Sequence, residues 1–591
     1  MAELLFSGSW ASGGQGDPSY FEKKYPPRAL PEGAAVTRLG PSPTGFIHLG
    51  NLYTAFMNEK LSNETGGVFF LRIEDTDSKR EVEGAVESLI ASLAHFGVSF
   101  DEGVALADAG GKGSGTALAN ATTPDATTPG ANPLDAGGII TENGAYGPYY
   151  QSARTEIYHA YARQLVLKGL AYPCFLTEDE IARMREGQEA AKEMPGVYGG
   201  YALYRGISPE GARERIENGE PYVLRLNADA ANALAAEAGD AEPYINVDDG
   251  IRGRLSMPRN MMDVVVLKSD GIPTYHFAHV VDDHLMRTTH VIRGEEWMPS
   301  LPIHIALFGA LGFEPPTYCH STVLMKLDGG KKRKLSKRKD PELSLEYYRA
   351  EGYHPKAILE YLLTVINSNF EEWRAENPDA PIADFNMTTE KMGVSGILFD
   401  LDKLSDVSKD VLVRIPAAEL SDFMLGWASE YNSAAHAAMS ADPAMLARIL
   451  DIGRGGAKPR KDLAYAKQIW GFISYFYDDF FEVAGDLPER VPSSDIAHII
   501  EGYLQGYDHA DDRDLWFGKI RELAEDLGYA AKPKDYKKEP DRYKGHVGDV
   551  SAVLRIALTG RAESPDLYEI QQILGEVRVR ERMANLSKIP A

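Results

Sequence analysis

The segment from Arg38 to Asn51, Arg-Leu-Gly-Pro-Ser-Pro-Thr-Gly-Phe-Ile-His-Leu-Gly-Asn, holds the residue types of an anion site at a helix start. A Pro- and Gly-rich turn leads out of an apolar strand and into a helix. Backbone N–H groups and the positive end of the helix dipole then face whatever docks there. Gly45 and Gly50 leave room for phosphate or adenine against the backbone, and the His48 imidazole can hydrogen-bond a phosphate oxygen. The pattern is neither GxxxxGK[ST] nor GxGxxG. Taken alone, a histidine at a helix start is more often a cap or a packed ring than a ligand.

A second segment, Lys331 to Lys339, has seven basic residues in nine. It follows Leu327-Asp-Gly-Gly330, a turn sequence, and composition alone favours a solvated charge run or a nucleic-acid patch. A flexible loop with Lys334 and Lys337 can also close over a triphosphate. There it would neutralise the charge that grows as pyrophosphate leaves.

Recognisable elements position both segments. Ala34–Leu39 reads as a strand, His48–Glu59 as a helix with Leu52, Ala55 and Phe56 at helical spacing, and Val68–Ile73 as a second strand. Such a strand–turn–helix–strand unit opens a parallel α/β sheet. Further strand signals fall at Tyr222–Leu226, Asp263–Leu267 and His290–Arg293, and Tyr146–Ala171 has an amphipathic helical pattern. Past Glu342 the chain reads as almost wholly helical. Residues 1–33 show no clear period and read as an extension. Residues 103–145, dominated by small and polar types, read as a mobile loop and a tolerated insertion.

Composition narrows the classes. Of the 591 residues, 62 are basic and 87 acidic, for a net charge of −25, which weakly opposes a nucleic-acid partner without excluding a local basic face. Two cysteines, Cys174 and Cys319, exclude a disulfide scaffold and a Cys-based zinc cluster. No apolar run reaches the length of a membrane span, and the first thirty residues lack a signal-peptide pattern. A soluble, cytoplasmic protein with no membrane partner is expected.

His48-Leu-Gly-Asn51 and Lys334-Leu-Ser-Lys-Arg338 resemble the two signature motifs of class I aminoacyl-tRNA synthetases. Context narrows the resemblance to bacterial-type glutamyl-tRNA synthetases: Leu71-Arg-Ile-Glu-Asp-Thr-Asp77, Gly147-Pro-Tyr-Tyr-Gln-Ser152, Pro273-Thr-Tyr-His-Phe277, Val280-Val-Asp-Asp283 and His290-Val-Ile-Arg-Gly-Glu-Glu-Trp297 follow in order. It resurfaces at Thr559–Leu574 and so spans about residues 34 to 590.

The resemblance implies an α/β fold: a Rossmann-like parallel sheet over 34–330, carrying the insertion 103–145 and an acceptor-binding subdomain at about 150–268. A lysine-loop and stem-contact region, 331–415, and an all-α anticodon-binding region, 416–591, would follow. It implies glutamate contacts at Arg38, Ser42, Glu74, Tyr275 and Arg293. ATP contacts would be Ser42, Thr44, His48, Gly50, Glu296, Trp297, Ser336 and Lys337, with His48, Asn51, Lys334 and Lys337 catalytic. A guanidinium fork suits a side-chain carboxylate, and Glu74 suits the ammonium. Asn51 stands where the motif has a second histidine, and its amide can still donate.

Asp77, Asp282 and Asp283 either hold magnesium or brace loops, the bracing reading being preferred. The implied reaction is the ATP-dependent joining of L-glutamate to tRNA(Glu) through glutamyl-adenylate, with Mg2+ on the nucleotide and tRNA bound before activation. The alternative is an enzyme that also charges tRNA(Gln). Relatives often begin a zinc site with Cys-x-Cys in the inserted domain. Here only Cys174 stands in Tyr172-Pro-Cys-Phe-Leu-Thr177, so no zinc and no protein-bound metal are expected. A monomer is expected. Lys532–His546, with Tyr536 and Tyr543, and the run Arg578, Arg580, Arg582 suit a nucleic-acid face, although a solvated helix face explains either cluster equally well.

Overall fold

Four strands carry the first part of the sheet in the computed structural model: β1 (Val36–Leu39), β2 (Val68–Leu71), β3 (Glu102–Leu106) and β4 (Ile140–Asn143), in that spatial order. The structure describes residues 1–6, 10, 17–45, 47–77, 81–107, 139–240, 242–456, 458–483 and 487–586. β1, β2 and β3 run parallel, with Val36 opposite Val68 and Phe70 opposite Glu102, while β4 returns antiparallel. The helix Leu49–Thr65 makes the crossover from β1 to β2 and buries Leu52, Tyr53, Ala55 and Phe56. The expected strand–turn–helix–strand unit is therefore present, with its helix one and a half turns longer than the sequence reading.

Two expectations need correction. The stretch 103–145 is not a loop at its ends, because Gly103–Leu106 and Ile140–Asn143 pair with each other; residues 108–138 lie outside the described residues. Pairing, not composition, makes these strands. Gly103, at φ +114°, lies so close to β2 that a Cβ would sit 2.2 Å from the Leu71 carbonyl. Residues 1–33 also hold helices, Ala2–Phe6 and Pro18–Lys24, with Trp10, Phe21 and Tyr25 buried. Arg28 forks onto Glu102 at 2.8 and 3.0 Å, and Tyr25 Oη donates to the Gly147 carbonyl. These anchors are irregularly spaced, which is why no period shows.

The chain then forms β5 (Ala171–Cys174), β6 (Val223–Leu226), β7 (Tyr244–Asp249), β8 (Gly253–Pro258) and β9 (Val265–Leu267). β5, β6 and β9 make an antiparallel sheet, and β7 and β8 a hairpin. Asp263 gathers this part: it accepts from both arms of Arg205, from Tyr172 Oη and from the Ala228 N–H. After the helix Tyr275–Leu285 come β10 (His290–Gly294) and β11 (Thr317–Ser321), paired in parallel. Thr289, just before β10, donates to the Val36 carbonyl at 3.0 Å and seats β10 beside β1.

The lysine segment is partly strand. β12 (Leu324–Asp328) and β13 (Lys331–Lys334) form a hairpin around Gly329-Gly330, and β14 (Ile397–Leu398) lies along β12. Asp340 takes both arms of Arg333 and the Ser336 N–H, while Leu335 is buried. The chain expected as a flexible loop is thereby tied at its first half, leaving Lys337 to Lys339 exposed.

Among the described residues two compact units result: residues 1–345 with Leu359–Asp400, and Glu346–Ile358 with residues 401–586. The second is helical, from Leu401–Leu412 to Leu567–Leu586, and its core includes Leu420, Trp427, Ile469, Trp516, Leu554 and Met583. The arginines near its end are spent inside it: Arg580 donates to the Leu504 and Tyr507 carbonyls, Arg582 to Leu558 and Asp478, and Arg578 pairs with Asp478. Lys544 is likewise bound to Asp495.

Within the first unit, Asp282 accepts from Arg154 Nε (2.7 Å), Gln151 Nε2 (2.9 Å) and Tyr158 Oη (2.8 Å), all buried. Removing that carboxylate leaves the Arg154 charge unpaired in the interior. Asp282→Ala should therefore cost about 3–5 kcal/mol in the denaturant-unfolding transition of this unit. A change below about 1 kcal/mol would show that the charge is not needed there.

Candidate active site

The turn and helix start behave as a cap before they behave as a ligand. His48 is the N-cap of Leu49–Thr65, its Nδ1 accepting from the Asn51 N–H at 3.2 Å, while Asn51 Oδ1 accepts from the His48 N–H at 3.0 Å. That reciprocal pair fixes the imidazole tautomer, so the proton sits on Nε2, a donor. Asn51 spends its carbonyl on the cap and keeps its NH2 end for donation. The space at Gly50 belongs to this cap, since a Cβ would meet the His48 ring at 2.9 Å. Ser42 and Thr44 are exposed in the turn, the Thr44 N–H donating to the Ser42 carbonyl.

Burial, and after it the charges of Lys337 and Lys334, hold the His48 imidazole down to about 4, while Glu296 acts in the opposite sense. Lys334 and Lys337, remote in sequence, are thus brought within electrostatic reach of the helix start. Ser336 lies between them, its N–H on Asp340.

A second group of predicted residues meets beside this. Arg38 on β1 and Arg293 on β10 are both buried near the C-terminal ends of their strands. In open α/β sheets ligands bind at that edge. Both charges bear on Tyr275 and on His279. Tyr275 opens the helix Tyr275–Leu285 and packs on Trp297 with ring centroids 4.5 Å apart. Trp297 follows Glu296 in the short helix Glu295–Ser300 and is part-exposed. Glu74 joins through its backbone, its N–H donating to the Pro41 carbonyl at 2.9 Å, and through Arg72, which takes its Oε1 at 3.1 Å.

Asp283 accepts from Arg72 Nη1 at 2.7 Å and from Arg38 Nε at 3.3 Å, with His279 Nδ1 at 2.8 Å. The two guanidinium groups hold its carboxyl well below the usual range despite burial. Asp282 and Asp283 are consequently braces within the protein. Among the described residues, no group of three His, Cys, Asp or Glu is placed to hold a metal ion. Cys174 and Cys319 are buried singly.

Sequence reading passed over His276, His279, His304, His320, Asp249 and Arg72. His320 Nδ1 donates to Asp249 at 2.6 Å and its Nε2 accepts from Arg293 Nε at 3.0 Å. His304 Nδ1 accepts from Arg293 Nη1 at 3.2 Å, and His276 Nδ1 contacts His304 Nε2 at 3.0 Å. His276 and Arg72 lie within the motifs Pro273–Phe277 and Leu71–Asp77, while His279, His304, His320 and Asp249 carry no local sequence signal.

Burial lowers His48, His276, His279, His284, His290, His304 and His320 below the ordinary imidazole value. On unfolding they return to about 6.5, so the unfolded chain binds protons first as pH falls. Glu59, pushed up to about 7 by burial, and Glu74, also raised, oppose this as the smaller group. The fold should lose stability progressively below about pH 6.5. Melting temperatures recorded between pH 7 and pH 5 should fall; a flat profile would mean these imidazoles are protonated in the fold.

Residues 34–374 match the family described as tRNA synthetases class I (E and Q), catalytic domain, and residues 540–586 match an anticodon binding domain. The chain is 52% identical to a protein of Acetivibrio thermocellus named Glutamate--tRNA ligase, covering 96% of each. It is 47% identical to one of the same name from Clostridium perfringens strain 13, covering 96% of this chain and 97% of that one. A crystal structure of a glutamate tRNA ligase from Elizabethkingia meningosepticum superposes with a TM-score of 0.67 at 24% identity, over 94% of this chain and 99% of that one, a likeness of fold. With its catalytic-domain match covering more than half of its length, the chain belongs to the class I tRNA synthetases of the E and Q family.

Proposed function

We propose that the chain attaches L-glutamate to tRNA(Glu) through glutamyl-adenylate, acting as a cytoplasmic monomer. The observation that carries this is the pairing of two buried arginines, Arg38 and Arg293, at one strand edge with a helix start that faces Lys334 and Lys337. One half suits a small dicarboxylic amino acid and the other a triphosphate. The relatives named Glutamate--tRNA ligase support the same reading.

In the first step an oxygen of the glutamate α-carboxylate attacks the α-phosphorus of ATP, and the bond to the bridging oxygen breaks, releasing pyrophosphate. In the second a ribose hydroxyl of the terminal adenosine attacks the activated carbonyl and AMP leaves, its proton passing to solvent. The protein has little covalent work in either. Positioning and charge stabilisation carry both steps, with Mg2+ travelling as the companion of ATP. Arg38 and Arg293 hold carboxylate, and the second oxygen of Glu74 and Ser42 take the ammonium end. Tyr275 and Trp297 wall the pocket. Neutral His48 donates from Nε2 to the nucleotide, Thr44, Gly50 and Asn51 line the turn under it, Glu296 lies beside it, and Ser336 with Lys337 meets the phosphates.

Lys337→Ala should lower the rate of adenylate formation by about 100-fold or more, because its charge is needed chiefly as pyrophosphate departs. Affinity for tRNA should stay within about threefold; equal losses in both would remove that role. Aminoacylation with radiolabelled glutamate should charge purified tRNA(Glu). Run in parallel on tRNA(Gln), the assay separates a discriminating ligase from one that serves both acceptors, and no charging of either would overturn the activity.

A further inference from the structure

Arg38 and Arg293 are alike in burial but not in company. Arg38 has a carboxylate partner, Asp283, whereas each protein partner of the Arg293 nitrogens is an imidazole. Its Nε and Nη1 donate to His320 and His304, its plane lies over the Tyr318 ring at 4.7 Å, and Nη2 is buried with no protein partner among the described residues. An arginine has only N–H donors, so both imidazoles must present bare nitrogens to it. His320 then carries its proton on Nδ1, directed at Asp249, and His304 on Nε2, directed at His276. Asp249 is itself fixed by the N–H groups of Ile251, Arg252 and His320. The chain His276–His304–Arg293–His320–Asp249 therefore has one consistent proton arrangement, with two neutral rings touching the guanidinium.

We propose that His304 and His320 are positioning residues that orient Arg293 without neutralising it, so that the full positive charge and the unpartnered Nη2 remain for an anionic side chain and count against a neutral amide of the same shape. A carboxylate in either place would orient the arginine just as well, yet would cancel the charge that distinguishes glutamate from glutamine. Buried, unpaired charge is costly; here it is tolerated because the aromatic face and two imidazoles disperse it, and the substrate completes the pair. The inference rests on Arg293 being a glutamate contact.

The test uses the full-length enzyme and a tRNA(Glu) transcript, measuring kcat and KM for glutamate and the inhibition constant of glutamine as competitor. Glu and Gln have the same shape, so H304E against H304Q isolates charge. H304E should raise the glutamate KM at least about tenfold and narrow the glutamate-to-glutamine preference similarly, with kcat little changed. H304Q, a neutral acceptor, should rescue most of that loss, to within about threefold. Equal KM values for the two variants would overturn the inference, since a merely structural histidine predicts equality. Should H304E not fold, H320E/D249N against H320Q/D249N decides the same question, moving the negative charge from beyond the imidazole onto the guanidinium. R293Q separates the layers. A raised KM for R293Q beside equal E and Q variants sinks the cradle alone; an unchanged KM for R293Q sinks the reading of Arg293 as well.

Discussion

The buried ion network centred on Asp282 and Asp283 is the constraint on which the first unit depends. Two adjacent carboxylates on one helix are taken out of water completely, which is tolerable only with every oxygen engaged. Asp283 binds back to Arg72 and Arg38, on and after the first two parallel strands, and Asp282 to the segment Gln151–Tyr158. The same helix begins with Tyr275. Asp282 and Asp283 with their arginine partners therefore fix the strand edge and the helix that begins at Tyr275 in one mutual arrangement, and none of these charges can shift without being left bare.

Electrostatic division of labour follows from that frame. Cationic groups cluster where substrate anions are expected, and the histidines around them are kept neutral by burial. Neutral imidazoles serve as acceptors for arginine and as caps for helices without consuming positive charge. The net charge of −25 is no obstacle, because the relevant field is local.

Legibility from sequence divided along the same physical lines. His48 and Lys337 could be singled out because a helix-start turn and a lysine-rich run are local patterns, whereas Arg38 and Arg293 were reached only through the family resemblance whose motifs carry them. β1, β2, β6, β9 and β10 could be placed because apolar runs between turns are a local signal. Arg72 pairs with Asp283 across 211 positions, and Arg293 with His320 across 27, and no spacing rule reports such partnerships. β13 was hidden because Lys331–Lys334 is a strand only through its hairpin with β12. The buried anchors Trp10, Phe21 and Tyr25 lacked any period to betray them.

The hairpin of β3 and β4 has one more consequence. The chain leaves the sheet after Leu106 and returns at Ile140 on directly paired neighbours, with the Ala107 N–H on the Ile139 carbonyl at 2.8 Å. Whatever is strung between those points closes a loop whose ends are already joined, and closure entropy grows only as the logarithm of length. The position is thus a natural docking port for engineering. A fluorescent reporter or purification handle exchanged into 108–138 would burden the sheet by well under the strength of one buried ion pair.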